Sequence, residues 1–100
     1  LEKILETRIL DGIMIGPYDL AGSMGYPGQV NHSNVIKECK KIIEICEKYN
    51  VSVGTQVSEV SSEKVKELFK MNYTYSILGS DLFLLWKSAE NIKNIINKLR

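Results

Sequence analysis

Three short segments carry residue types that could do chemistry. Gly16-Pro17-Tyr18-Asp19, Gly54-Thr55-Gln56 and Gly79-Ser80-Asp81 each follow or close a short apolar run. In the first, Gly16 lets the chain turn sharply and Pro17 sets the exit angle with no N–H of its own. The amides of Tyr18 and Asp19 could then form a backbone nest for a carboxylate, with Asp19 offering a hard oxygen at its mouth. The same residues also read as a plain turn in which Asp19 caps the next segment. Gln56 could reach a substrate from a strand end or tie down its own loop. Gly79-Ser80-Asp81 could hold an anion at a helix N-terminus or simply cap that helix. His32 stands just before a helix, where it caps or packs against the loop, and Tyr26 and Trp86 read as packing anchors. No Cys/His metal spacing, phosphate-binding GxxxxGK[ST], GxGxxG or nucleophile–histidine pairing is present.

Those segments must be placed by regular elements. Ile13-Met14-Ile15 is an apolar run without polar alternation, which suits a strand buried on both faces. Val35, Ile36, Cys39, Ile42, Ile43, Cys46 and Tyr49 recur at spacings of three and four, so residues 33–49 form a helix that stops at Asn50. Residues 51–57 read as a second strand. Ser61 caps a further helix with Val65, Leu68 and Phe69 on its buried side. Thr74 to Gly79 is a third strand. Ser80-Asp81 opens a short helical turn to Leu85, and a last helix starts near Ser88 with Ile92, Ile95, Ile96 and Leu99 on one face. Leu1–Thr7 reads as the tail of an earlier helix. The order (α)-β-α-β-α-β-α predicts an α/β fold with parallel strands joined by helical crossovers. Gly16 to Asn31, sixteen residues, is expected to be one long irregular loop, a length that usually signals function.

Composition narrows the field. The chain has 100 residues, 44% hydrophobic and 25% charged, with 13 Lys+Arg against 12 Asp+Glu and a net charge of +1. That balance offers no general field for nucleic acid or an anionic membrane. The apolar run Leu82–Trp86 is far short of the roughly 20 residues that cross a bilayer. No secretory signal pattern opens the chain. Its first residue is Leu1, which suggests a piece of something larger. Cys39 and Cys46 lie seven apart on one helix, roughly 10 Å along its axis, so they cannot bridge. They read as small buried hydrophobes of a reducing cytoplasm.

The run Asp11-Gly12-Ile13-Met14-Ile15-Gly16-Pro17-Tyr18-Asp19-Leu20, with Ser23-Met24-Gly25-Tyr26-Pro27-Gly28 and Asn31-His32, closely resembles the HpcH/HpaI aldolase family. Gly79-Ser80-Asp81-Leu82 fits the family's last barrel strand. The resemblance implies a phosphoenolpyruvate/pyruvate-type TIM (β/α)8 barrel, of which residues 1–100, as a single partial domain, would supply about β6 to α8. It implies a metal-dependent (class II) aldolase of the cytoplasm that cleaves 2-keto-3-deoxy sugar acids to pyruvate and an aldehyde. By the same resemblance Asp19 is a ligand of a divalent metal (Mg²⁺, Mn²⁺ or Co²⁺), and the Tyr18 and Asp19 amides hold the pyruvate carboxylate. Tyr18 departs from the small residue usual there. Gln56 stands where relatives often line the substrate site with an apolar side chain.

The resemblance also implies a small-molecule 2-oxo acid as partner and a homo-oligomer, usually a hexamer with the last helix exchanged between neighbours. The remaining metal glutamate, histidine and arginine of the family would precede Leu1, and His32 is not the family's catalytic histidine. The 100 residues alone are therefore expected to be inactive, since a closed barrel takes about 200 residues or more. The alternative is a noncatalytic small-carboxylate-binding or assembly module on the same scaffold.

Overall fold

A computed structural model describes residues 1–100. The elements run α1 (Glu2–Glu6), β1 (Gly12–Ile15), α2 (Pro17–Ser23), α3 (Ser33–Lys48), β2 (Ser52–Val57), α4 (Ser62–Lys70), β3 (Tyr75–Leu78) and α5 (Asp81–Leu99). The three strands form one parallel sheet in the order β1-β2-β3. Gly12 pairs with Ser52 and Ile15 with Thr55; Gly54 pairs with Tyr75 and Val57 with Leu78. The chain is an α/β unit, as its alternation of patterns predicts.

The helix ends explain why the alternation is so regular. Asn50 (φ +54°) and Asn72 (φ +68°) sit in the left-handed region one residue past the caps of α3 and α4. After α3, the Asn50 and Val51 amides donate back to Glu47 and Cys46; after α4, those of Asn72 and Tyr73 donate to Phe69 and Leu68. This paired 5→2 and 6→1 closure satisfies the last carbonyls and turns the chain directly toward the next strand.

The core lies between the sheet and α3. Leu5, Ile15, Ala21, Val35, Cys39, Ile43, Cys46 and Val53 are buried together, with Ile13, Leu20 and Ile42 packed around them. The apolar stripe of α3 thus covers the β1–β2 face. The opposite sheet face is open, so β1 is not buried on both faces as its apolar run predicts: no element of this chain covers Met14, Gln56, Tyr75 and Ile77, which are exposed on it. Thr74 fastens β3 to β2, its hydroxyl 2.8 Å from the Val53 amide nitrogen and 3.1 Å from the Val53 carbonyl.

Four further expectations need correction. Gly16 to Asn31 is not one irregular loop, because α2 occupies Pro17–Ser23. Proline at its first position needs no amide partner, and Leu20 already donates to the Gly16 carbonyl at 2.9 Å. The turn to Leu85 and the helix from Ser88 are one 19-residue helix, α5, because nothing between them lacks an amide or favours a break. Phe69 is 76% exposed rather than part of α4's inward side. Trp86 is 65% exposed and anchors nothing.

No residue of α5 is buried. The chain measures 60 × 28 × 22 Å with a radius of gyration of 16.8 Å, where about 13 Å is usual for a compact domain of 100 residues. Leu82, Leu85, Ile92, Ile95, Ile96 and Leu99 all remain in solvent. No helix is long and apolar enough to cross a membrane.

Candidate functional site

The segment after β1 is organised by two small residues. Gly16 caps α2 from an extended conformation, and Pro17 starts the helix. The amides of Tyr18 and Asp19 fall in the first helical turn, where no intrahelical carbonyl can reach them. The Asp19 carboxylate folds back over Gly16: a Cβ built there would lie 2.7 Å from Asp19 Oδ2. A side chain at position 16 would displace the carboxylate from this position, although the backbone there (φ −95°) is one that any residue adopts. Asp19 is exposed and forms no ion pair, since the salt bridges present are Lys64–Glu67 and Lys87–Glu90.

Asp19 therefore suits a hard cation as one ligand, not as a whole site. No group of three or more His, Cys, Asp or Glu side chains is placed to hold a metal ion. Mg²⁺ commonly takes one or two protein carboxylates and fills the rest with water and substrate, so a single Asp is a chemically sound contribution.

Gln56 lies in β2, on the open face, and its side chain is exposed. Pro17, Tyr18 and Gln56 line one open groove of about 800 Å³, with Val30 and Asn31 of the following loop and Thr55, Cys39 and Tyr73 deeper in. Asp19 is not among the groove's lining residues. The structure thus brings Tyr18 and Gln56 to one cavity and sets Asp19 beside it, at the start of the same helix. Tyr18 itself is 64% exposed.

Below the groove is a buried polar cluster that residue spacing does not reveal. Thr55, 3% exposed, donates its hydroxyl to the Ile15 carbonyl at 3.0 Å. Burial pushes the Tyr73 hydroxyl far above the usual tyrosine range; neighbouring Cys39 adds to this and a hydrogen bond with Thr55 opposes it. Burial likewise raises the Cys39 and Cys46 thiols above the ordinary 9.0. Both cysteines are free, as their spacing demands.

At the third segment capping is what the geometry supports. Ser80 Oγ accepts from the Phe83 amide at 3.5 Å, and Asp81 Oδ1 accepts from the Leu82 amide at 2.8 Å. His32 is a cap as well: its Nδ1 accepts from the Asn34 amide at 3.1 Å.

An aspartate and two helix-start amides just past a strand's carboxyl end occupy the place where parallel α/β folds bind their ligands. The sequence profile of the HpcH/HpaI aldolase/citrate lyase family matches residues 1–88, and the chain belongs to that family. A 2-keto-3-deoxy-L-rhamnonate aldolase from Salmonella schwarzengrund (strain CVM19633) is 46% identical over 46 residues, 46% of this chain and 16% of the relative. An HpcH/HpaI aldolase/citrate lyase family protein from Burkholderia cenocepacia J2315 superposes with a TM-score of 0.87 at 21% identity, over 96% of this chain and 37% of its own. An HpcH/HpaI aldolase from Desulfitobacterium hafniense DCB-2 gives 0.81 at 22% identity, over 94% and 36%. This chain thus spans little more than a third of the solved relatives, and the matched stretch is about a sixth of the curated one.

Proposed function

We propose that residues 1–100 are the C-terminal part, about β6 to α8, of a (β/α)8 aldolase barrel. The whole protein would cleave a 2-keto-3-deoxy acid to pyruvate and an aldehyde by a metal-dependent retro-aldol reaction. The observation that carries this reading is the position of Asp19 and the free Tyr18 and Asp19 amides in the first turn of α2, just past β1. The aldolase name of the Salmonella relative and the family membership support the reaction class.

In this reading each residue has a limited task. The Tyr18 and Asp19 amides donate to the carboxylate of the 2-oxo acid, aided by the positive end of α2. Asp19 offers one carboxylate oxygen to a divalent ion, Mg²⁺, Mn²⁺ or Co²⁺. That ion, when bound, supplies Lewis-acid stabilisation of the charge developing on the keto oxygen. Gln56 presents a carboxamide donor and acceptor to the part of the substrate that becomes the aldehyde. The proton-transfer groups would come from residues outside this chain.

The exposed apolar residues of α5 support a homo-oligomer, a hexamer by family resemblance, in which this helix docks on a neighbour. The balanced charge and the two free thiols support a small acid as partner and a reducing cytoplasm.

The test is pyruvate release from 2-keto-3-deoxy acids by the full-length protein, with and without divalent metal. Asp19→Ala should abolish metal-dependent release while leaving the fold intact. Unchanged rates would remove Asp19 from the metal shell. A wild-type protein that binds these acids and never releases pyruvate would replace this reading with a noncatalytic carboxylate-binding module.

A further inference from the structure

The loop between α2 and α3 is closed on itself by side chains. It leaves α2 through Gly25 (φ +85°), where the Tyr26 amide donates to the Ala21 carbonyl at 2.8 Å. Tyr26-Pro27-Gly28-Gln29 then makes a turn with proline second and a left-handed glycine third (Gly28 φ +74°), closed by the Gln29 amide on the Tyr26 carbonyl at 2.9 Å. The His32 amide donates to the Gln29 carbonyl at 3.0 Å, and α3 begins.

Across this loop the Tyr26 ring stacks on the His32 imidazole, centroids 3.8 Å apart and planes 20° from parallel. Asn34 joins the two: its side-chain amide donates to Tyr26 Oη at 2.8 Å and its backbone amide to His32 Nδ1 at 3.1 Å. Nδ1 accepts, so the imidazole in this arrangement carries its proton on Nε2. A helix cap needs only an acceptor at His32. A flat ring stacked on a tyrosine is more than capping requires.

The loop so held contributes Val30 and Asn31 to the groove that Pro17 and Tyr18 also line. Its first residues continue α2, the helix that carries Asp19. We infer that the Tyr26–His32–Asn34 cluster is a latch that positions this wall of the groove against the Tyr18–Asp19 turn, so that it sets affinity for the small acid. The inference rests on the proposed carboxylate-binding role of that turn.

Two readouts on the full-length protein test it, with Mg²⁺ and pyruvate as the probe. His32→Asn keeps an acceptor for the cap and removes the ring; Tyr26→Leu removes the stack; Tyr26→Phe keeps the stack and removes only the hydroxyl. An aromatic pair of this kind corresponds to about a 3- to 10-fold effect. His32→Asn and Tyr26→Leu should weaken pyruvate binding by about that factor, with Tyr26→Phe within about twofold of wild type. The same two variants should speed hydrogen exchange at the Leu20 to Tyr26 amides while the melting temperature stays close to wild type. Unchanged exchange in both variants overturns the latch, whatever the ligand result. Faster exchange with unchanged pyruvate affinity overturns its effect on the site. Wild-type protein that binds no pyruvate overturns the carboxylate reading instead, and the exchange result still decides the latch.

Discussion

The Tyr75 ring lies flat across Gly54, its partner on the neighbouring strand, and reaches beyond it to donate a 2.7 Å hydrogen bond to the Ile13 carbonyl. One side chain of β3 thereby spans β2 and ties itself to β1. A Cβ at position 54 would fall inside the ring's contact distance with three of its atoms. Gly54→Ala must therefore expel the ring, and a loss of about 1–3 kcal/mol is expected, as for other overpacked sites. Tyr75→Phe keeps the packing and should lose about 1 kcal/mol. Denaturant midpoints of the full-length protein measure both.

Asn72 is held at φ +68° by the closure of α4. Asn72→Val places a branched side chain in the left-handed region and should cost about 1–2 kcal/mol. Asn72→Gly should be neutral or slightly stabilising. The same denaturation series reads both.

The buried thiols and Tyr73 make stability fall in alkali. All three are raised by burial, Cys39 and Cys46 from 9.0 and Tyr73 from 10.0. Their contribution is fully present below the unfolded values and is lost as pH climbs past about 9, because the unfolded chain releases these protons first. Denaturation midpoints between pH 7 and 11 should stay level and then drop. Cys39→Ala with Cys46→Ala should flatten the start of the drop; an unchanged profile would show that the thiols are not involved.

In the proposed reading Gln56 offers its carboxamide to the part of the substrate that becomes the aldehyde. Gln56→Leu in the full-length protein should lower kcat/KM by about 3- to 10-fold for hydroxylated substrates, the range expected for one lost hydrogen bond of about 1 kcal/mol. Pyruvate affinity should not change. An equal loss for pyruvate would place Gln56 at the carboxylate rather than the far end.

The isolated 100 residues should show no metal-dependent pyruvate release, since they contain one candidate metal ligand and no assigned proton-transfer group. Turnover by the purified fragment, measured by coupled reduction of pyruvate, would overturn both the partial-barrel reading and the division of labour proposed for it.

Much of this was legible in one dimension. The 3.6-residue stripe from Val35 to Cys46 announces α3 and its buried face, because burial on one helix side leaves a period in the residues themselves, and short apolar runs between turn residues announce the strands, though not that one sheet face stays open. Gly-Pro after β1 locates the exit turn, and Asn50 marks a helix end that the backbone then adopts. The family resemblance rests on that same segment.

What the linear pattern does not contain is distance. Tyr75 and Ile13 are 62 residues apart and meet only because the sheet order is β1-β2-β3. Tyr26 meets His32 only because two left-handed glycines fold the loop back on itself. α2 was hidden because Gly22 and the short Pro17–Ser23 segment carry little periodicity, and its end is fixed by a closure on Gly25. Phe69 and Trp86 were expected to pack, yet both stay in solvent together with all of α5, since a hydrophobic stripe states that a face needs cover and not which surface will cover it. Local sequence thus determined the elements and the candidate ligands, through periodicity and turn chemistry. Only the tertiary arrangement decided which side chains meet, because contacts between residues distant in sequence depend on strand order and packing.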